Sequence, residues 1–139
     1  MLHNPKKYGI LTFEAGEDLT AQEGKVATLI NSNTLALDGK AYLHAGLGED
    51  QERPFGIILQ GAAQGEQVTI AALGNVEGTL IAKCQTDISN VGALVISTGT
   101  QIEQHPHDTG AYWVLGTALE TGVAGEMIEF APCWPVKLA

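Results

Sequence analysis

Cysteine, basic residues and long apolar runs are scarce in this chain, and each scarcity removes a class of function. Two cysteines, Cys84 and Cys133, are too few for a disulfide framework and lack zinc-finger spacing. Buried free thiols are the plain expectation for them. Seven bases stand against sixteen acids, a formal charge of −9. A surface of that sign repels phosphate backbones and argues against nucleic acid as a partner. Apolar runs such as "FGIIL" and "GALVI" stop after four to six residues, far short of a membrane span. Behind Lys6 and Lys7 the start "MLHNPKKYG" has no apolar stretch, so no secretory leader is read there and cytosolic synthesis is expected.

Catalytic motifs are also missing. There is no P-loop and no G-x-G-x-x-G entering a helix. Ser32, Ser89 and Ser97 have no G-x-S-x-G surroundings. Cys84 with His44, or Cys133 with His105, could form a dyad on paper, but nothing in the spacing brings either pair together. No cofactor and no enzymatic activity are expected. The local run of metal-ligand types is "HPHD", with His105, His107 and Asp108. Pro106 between the histidines and Gly110 beyond them read as an exposed polar loop, and a third strong ligand is not fixed by spacing. A zinc site there is the competing possibility, open to metal analysis.

What the chain does have is glycine, seventeen of them, spread along the sequence rather than clustered. That distribution means many turns and few long helices. Short apolar groups alternate with turn signals every eight to twelve residues, which predicts an all-β fold, a small barrel or sandwich. Asp38-Gly39, between apolar groups, reads as a hairpin turn. From Phe55 onward "FGIILQ", "QVTIAAL", "TLIAKC", "ALVIS", "QIEQ", "YWVLGTALE" and "MIEFA" read as strands. The closing "PCWPVKLA" carries Pro132 and Pro135, which suit a sheet edge.

One pattern occurs twice. "GIILQGAAQGEQVTIA" from Gly56 and "GTALETGVAGEMIEFA" from Gly116 share glycine, leucine, glycine, glutamate and alanine at matching positions. Each reads as strand, Gly-Glu turn, strand, and the expectation is two similar hairpins, near 56–71 and 116–131, within one small barrel. Residues 16–139 are read as a single β-rich domain, and residues 1–15 as an extended arm outside the repeating pattern. The arm holds Lys6, Lys7, Tyr8, Ile10, Leu11 and Phe13, apolar and mildly basic on an acidic protein. Aromatics are few, and Tyr112, Trp113 and Trp134 bracket the second copy. Core positions are the ordinary role of tryptophan in small β domains; anchoring a subunit interface is the functional alternative.

From Gly56 to Leu138 the chain resembles the small capsid decoration, or cement, proteins of tailed bacteriophages. The likeness rests on Ala62, Ala63, Gly65 and Glu66; on Gly92, Leu94 and Val95; and on Gly116, Ala118, Leu119, Glu120, Gly125 and Glu126. The first fifty-five residues match no motif of that family, and "HPHDTGAYW" departs from the plainer loop expected. The resemblance implies a non-enzymatic virion protein with a barrel or β-tulip-like domain, binding the exterior of an expanded capsid and bridging capsomers. It implies the major capsid protein as partner and a homo-oligomer, with a trimer favoured. Lys6, Lys7, Tyr8, Ile10, Leu11 and Phe13 would then contact the shell, and Tyr112, Trp113 and Trp134 a neighbouring subunit. A tail, baseplate or spike module that binds a host glycan through Tyr112 and Trp113 is the alternative.

Overall fold

The computed structural model describes residues 9–32, 42–47, 53–108 and 110–138. Among them are ten strands and no helix: β1 (Ile10–Ala15), β2 (Val26–Ser32), β3 (Tyr42–Leu47), β4 (Gly56–Gln60), β5 (Gln67–Ala72), β6 (Leu80–Lys83), β7 (Leu94–Thr98), β8 (Gln101–Gln104), β9 (Tyr112–Ala118) and β10 (Met127–Leu138). The first five close into a barrel in the order β1-β3-β2-β4-β5, and the last five form a sheet in the order β6-β10-β9-β7-β8. The fold is all-β, as the turn spacing predicts.

The two hairpins form, but not in one barrel. β4–β5 belongs to the barrel and β9–β10 to the second sheet. Their registers coincide: Ile57 faces Ala71 and Ile58 faces Ile70, while Thr117 faces Ala131 and Ala118 faces Phe130. The correspondence extends well beyond the hairpins. β1 pairs with β5 through Phe13 and Val68, as β6 pairs with β10 through Ala82 and Ile128. Ala27 faces Gly56 as Val95 faces Gly116. Ala15 bridges Ala45 in parallel, and Cys84 bridges Ile102 in parallel. Each turn is tied down alike, since Gly65 N–H donates to the Ala15 carbonyl and Gly125 N–H to the Cys84 carbonyl, both at 2.9 Å. The chain is one five-stranded unit built twice in tandem.

Two glycine pairs show why the motif survives in both copies. A Cβ at Gly56 or Gly116 would run into the carbonyl oxygen of Ala71 or Ala131 across the strand pair. Gly65 and Gly125 have φ of +87° and +89°, the left-handed region that residues with a Cβ avoid.

Packing separates the two units. Ala15, Leu19, Ala27, Ile58, Val68 and Ile70 fill the barrel. Their counterparts Cys84, Ile88, Val95, Ala118, Ile128 and Phe130 form the core of the second sheet. That second core also takes Val26, Ile57, Ala71 and Leu73 from the other face of the barrel strands. Strands β2, β4 and β5 are thus buried on both faces, which is why "FGIIL" and "TIAAL" read as continuous apolar runs. Among the described residues the second sheet has no such extra layer. There the counterpart of buried Ile57 is the polar Thr117, and the counterpart of buried Val26 is Leu94, which is 40 % exposed.

Two further expectations change. Of the segment 1–15 read as an arm, Ile10–Ala15 is β1, hydrogen bonded to β5 and β3, while residues 1–8 lie outside the described residues. β10 lies between β6 and β9 rather than at an edge. Its β6 partner extends only over Met127–Phe130, so among the described residues Pro132 and Pro135 fall where one side of the strand is unpaired and a missing N–H does no harm. β2 and β3, which flank Asp38-Gly39, pair antiparallel with Ser32 opposite Tyr42; the turn itself lies outside the described residues.

Candidate functional site

A groove forms at the start of β4, just before Gly56. Pro54 is buried and has no N–H, so the ladder between β2 and the chain leading into β4 stops at the bond from Phe55 N–H to the Ala27 carbonyl, 2.9 Å. The Thr28 hydroxyl donates to the Arg53 carbonyl at 3.1 Å and holds the incoming chain beside β2. β2 continues to Ser32 with β3 on one side and, among the described residues, no strand on the other beyond Ala27. Opposite this edge, β10 loses register between Pro132 and Val136 and turns Trp134 outward. Trp134 lies over Gly74, where an added Cβ would come 2.6 Å from the indole Cγ.

The result is a groove of about 540 Å³ lined by Thr28, Leu29, Arg53, Pro54, Phe55, Trp134 and Pro135. Its walls are apolar and aromatic, and Trp134 is 54 % exposed. At one end the Arg53 guanidinium lies 6.0 Å from the centre of the Trp113 ring. The Lys137 ammonium lies 5.7 Å from the same ring, brought there by the cross-strand pairing of Trp113 with Lys137. Each such cation–aromatic contact is worth about 0.5–1 kcal/mol at an exposed site. An exposed tryptophan and arginine above a half-buried phenylalanine and two buried prolines make a surface suited to another polypeptide.

Of the residues expected at a subunit interface, Trp113 and Trp134 are brought together through Arg53. Tyr112 is not. Neighbours on a strand point to opposite faces, and Tyr112 points into the 105–112 loop. There its hydroxyl donates to Asp108 at 2.9 Å, and its ring meets that of His105 edge-on at 5.3 Å. Asp108 also accepts from Gly110 N–H at 2.8 Å. The Asp108 carboxyl is held below its ordinary range, first by the Gly110 N–H and then by the Tyr112 hydroxyl. Tyr112 is pushed up, chiefly by that same bond to Asp108.

His105 is buried rather than exposed as expected of the loop, and its Nδ1 accepts from His107 N–H at 2.9 Å. The neutral ring therefore carries its proton on Nε2. Among the described residues no three His, Cys, Asp or Glu side chains gather as metal ligands would. "HPHD" is a hydrogen-bonded knot. The thiols fare no better as nucleophiles: burial first, then Glu126, Asp87 and Glu120, push Cys84 up, and burial pushes Cys133 up.

The expected shell-contact residues divide. Lys6, Lys7 and Tyr8 lie outside the described residues. Ile10, Leu11 and Phe13 are in β1; Ile10 is 44 % exposed, while Phe13 packs edge-on against Phe55 with ring centres 5.6 Å apart. Arg53, Phe55 and Thr28 were not expected at the site. The sequence signal for them is Pro54, which ends one ladder and opens the groove.

No family model matches this chain, and no curated protein does. Among solved structures, the chain is similar to the head fiber gp8.5 N base of bacteriophage phi29, with a TM-score of 0.62 at 13 % identity. The likeness covers 92 % of this chain and 96 % of that one. What the two share is the fold. The match spans both five-stranded units, so the tandem arrangement, and not one barrel alone, is what the head fiber base resembles.

Proposed function

We propose that this chain is a structural protein of a tailed-phage head, bound to the outer surface of the expanded capsid, where it bridges neighbouring capsomers. The observation that carries this reading is the fold shared with the head fiber base over nearly the full length of both chains. The decoration-protein motifs around Gly65-Glu66 and Gly125-Glu126 point the same way from the sequence. In this reading the partner is the major capsid protein, and no catalytic step is involved. The chain acts as a homo-oligomer, with a trimer favoured, and the Trp113–Arg53–Trp134 groove seats a neighbouring subunit. Contact with the shell falls first to Lys6, Lys7 and Tyr8, because Ile10, Leu11 and Phe13 are engaged in the barrel ladder.

The test is co-sedimentation of the purified full chain with expanded and unexpanded capsids that lack it. Saturable binding to the expanded shell, together with a higher melting temperature of that shell, is the expected result. Failure of the folded protein to bind either form would overturn the reading. A chain beginning at Gly9 keeps β1 whole. If it folds and no longer binds, residues 1–8 carry the contact; undiminished binding removes them from it.

A further inference from the structure

A groove that seats a neighbouring subunit needs a surface on that neighbour to fill it, and the chemistry of the groove says of what kind. One end carries two donors. The exposed Arg53 guanidinium lies by the Trp113 ring, and the Trp113 indole N–H is buried with no acceptor among the described residues. A buried donor left unpaired costs stability, and a carboxylate is the strongest partner a guanidinium can take. The rest of the wall is apolar: Pro54, Phe55, Trp134 and Pro135. The complementary surface is therefore apolar with a carboxylate set in it.

The outer side of β6, β10 and β9 has that composition. Along β10 the core residues Ile128 and Phe130 alternate with the outward Met127, Glu129 and Ala131. Glu129 stands opposite Ile81 on β6, and on its other flank its carbonyl accepts from Leu119 N–H at 3.1 Å. Ile81, Leu119 and Met127 are 54 %, 42 % and 44 % exposed. Large apolar side chains grouped on one sheet face mark an interaction surface, where a single one would not. Their carboxylates are held in position: Glu129 accepts from the Thr79 hydroxyl, and Glu120 accepts from Glu129 N–H at 3.1 Å. The first unit shows the fate of such a face. Its counterpart there carries Ile57 and Ala71 and is buried under the core of the second unit.

Face and groove cannot meet within one chain. Glu129 and Trp134 both lie on β10, about 15 Å apart along one strand. We infer that the row Ile81, Glu129 and Leu119 of one copy fills the Trp134 groove of the next, with the Glu129 and Glu120 carboxylates against Arg53. This rests on the homo-oligomer reading above and supplies the second half of its interface. A groove taking a different surface of its neighbour is a head-to-tail contact, and such contacts close into a ring of copies.

The experiment measures the mass of the full chain in solution by sedimentation equilibrium, for the wild type, the groove variant Trp134→Ser and the face variant Ile81→Ser. Both side chains are exposed, so the variants should keep the wild-type melting temperature, which is checked first. Each variant alone should self-associate about tenfold or more weakly. Mixed, they should form a pair that stops at two copies, because one intact groove then meets one intact face. Arg53→Glu and Glu129→Arg test the charge match: each alone should weaken assembly, and the two in one chain should restore it. A wild-type oligomer that either serine variant leaves intact would overturn this inference alone, as would mixed variants that stay monomeric or grow beyond a pair. So would a groove variant that loses capsid binding while it still self-associates, since the groove would then hold the capsid protein. A wild type that stays monomeric at every concentration would overturn the homo-oligomer reading too, and the co-sedimentation above still decides the capsid reading.

Discussion

Alanine substitution of the paired glycines separates two kinds of backbone demand in one molecule. At Gly65 and Gly125 an added Cβ meets nothing within 4 Å, so only the positive φ opposes it. That strain is about 1–2 kcal/mol. Restricting the unfolded chain returns about 0.4–1 kcal/mol, leaving a net loss of roughly 1 kcal/mol. At Gly116 the methyl would enter the space of the Ala131 carbonyl oxygen and crowd the Phe130 ring. Forcing β9 away from β10 there costs about 3 kcal/mol. In a chain of 139 residues, an unfolding entropy near ~2 cal/mol/K per residue turns each kcal/mol into about 3–4 °C of melting temperature. Gly65→Ala and Gly125→Ala should therefore each lower the melting temperature by about 3–4 °C, and Gly116→Ala by about 10 °C. Calorimetry on the three variants measures this directly. Equal losses at positions 65 and 116 would refute the distinction between strain and close approach, and a wide gap between positions 65 and 125 would refute the equivalence of the two turns.

Phe130 is fully buried in the core that joins the two units, so Phe130→Ala should cost about 3–5 kcal/mol, read from urea unfolding with an unchanged m-value. Asp108→Asn replaces the charged acceptor of the Tyr112 hydroxyl by a weaker neutral one and removes the charge beside it, so the Tyr112 ring signal in an NMR titration should move to lower pH, toward its ordinary value of 10.0. Because the Asp108 carboxyl sits below its ordinary 3.8 when folded, its stabilisation is present above that pH and is lost as the pH falls through the lower, folded value. Acidification below about pH 4 should thus release the 105–112 loop, seen in the His105 and Tyr112 ring signals, and Asp108→Asn should abolish that step. Both cysteines should react with a thiol reagent at neutral pH far more slowly in the folded chain than in urea, with buried Cys84 the slower of the two.

Strand identity and hairpin position were legible in the residues because they are local properties. "QVTIAAL" alternates as a half-buried strand does, and Gly65-Glu66 and Gly125-Glu126 mark turns whose φ admits little else. The repeat was legible for the same reason: a glycine forced by a facing carbonyl recurs wherever that geometry recurs. The groove was not. Arg53, Thr28, Trp113 and Trp134 are far apart in the chain, and their meeting depends on where β4 starts and β10 loses register. Likewise "HPHD" carries no sign that Tyr112 would donate to Asp108 while His105 turned inward.

By itself the sequence determined an all-β chain, two Gly-Glu hairpins and an acidic surface with no catalytic motif, since each of these follows from residues within a few positions of one another or from simple counts. Only the tertiary structure decided that the hairpins belong to separate five-stranded units and that residues 10–15 close a barrel instead of extending as an arm. It also decided which strands are buried on both faces. These are outcomes of pairing between distant segments, where a strand's partner is chosen by the whole core it helps to fill. The two copies diverged where their packing differs, at Ile57 and Thr117, and agree at Gly56 and Gly116, where a facing carbonyl leaves no room for a side chain.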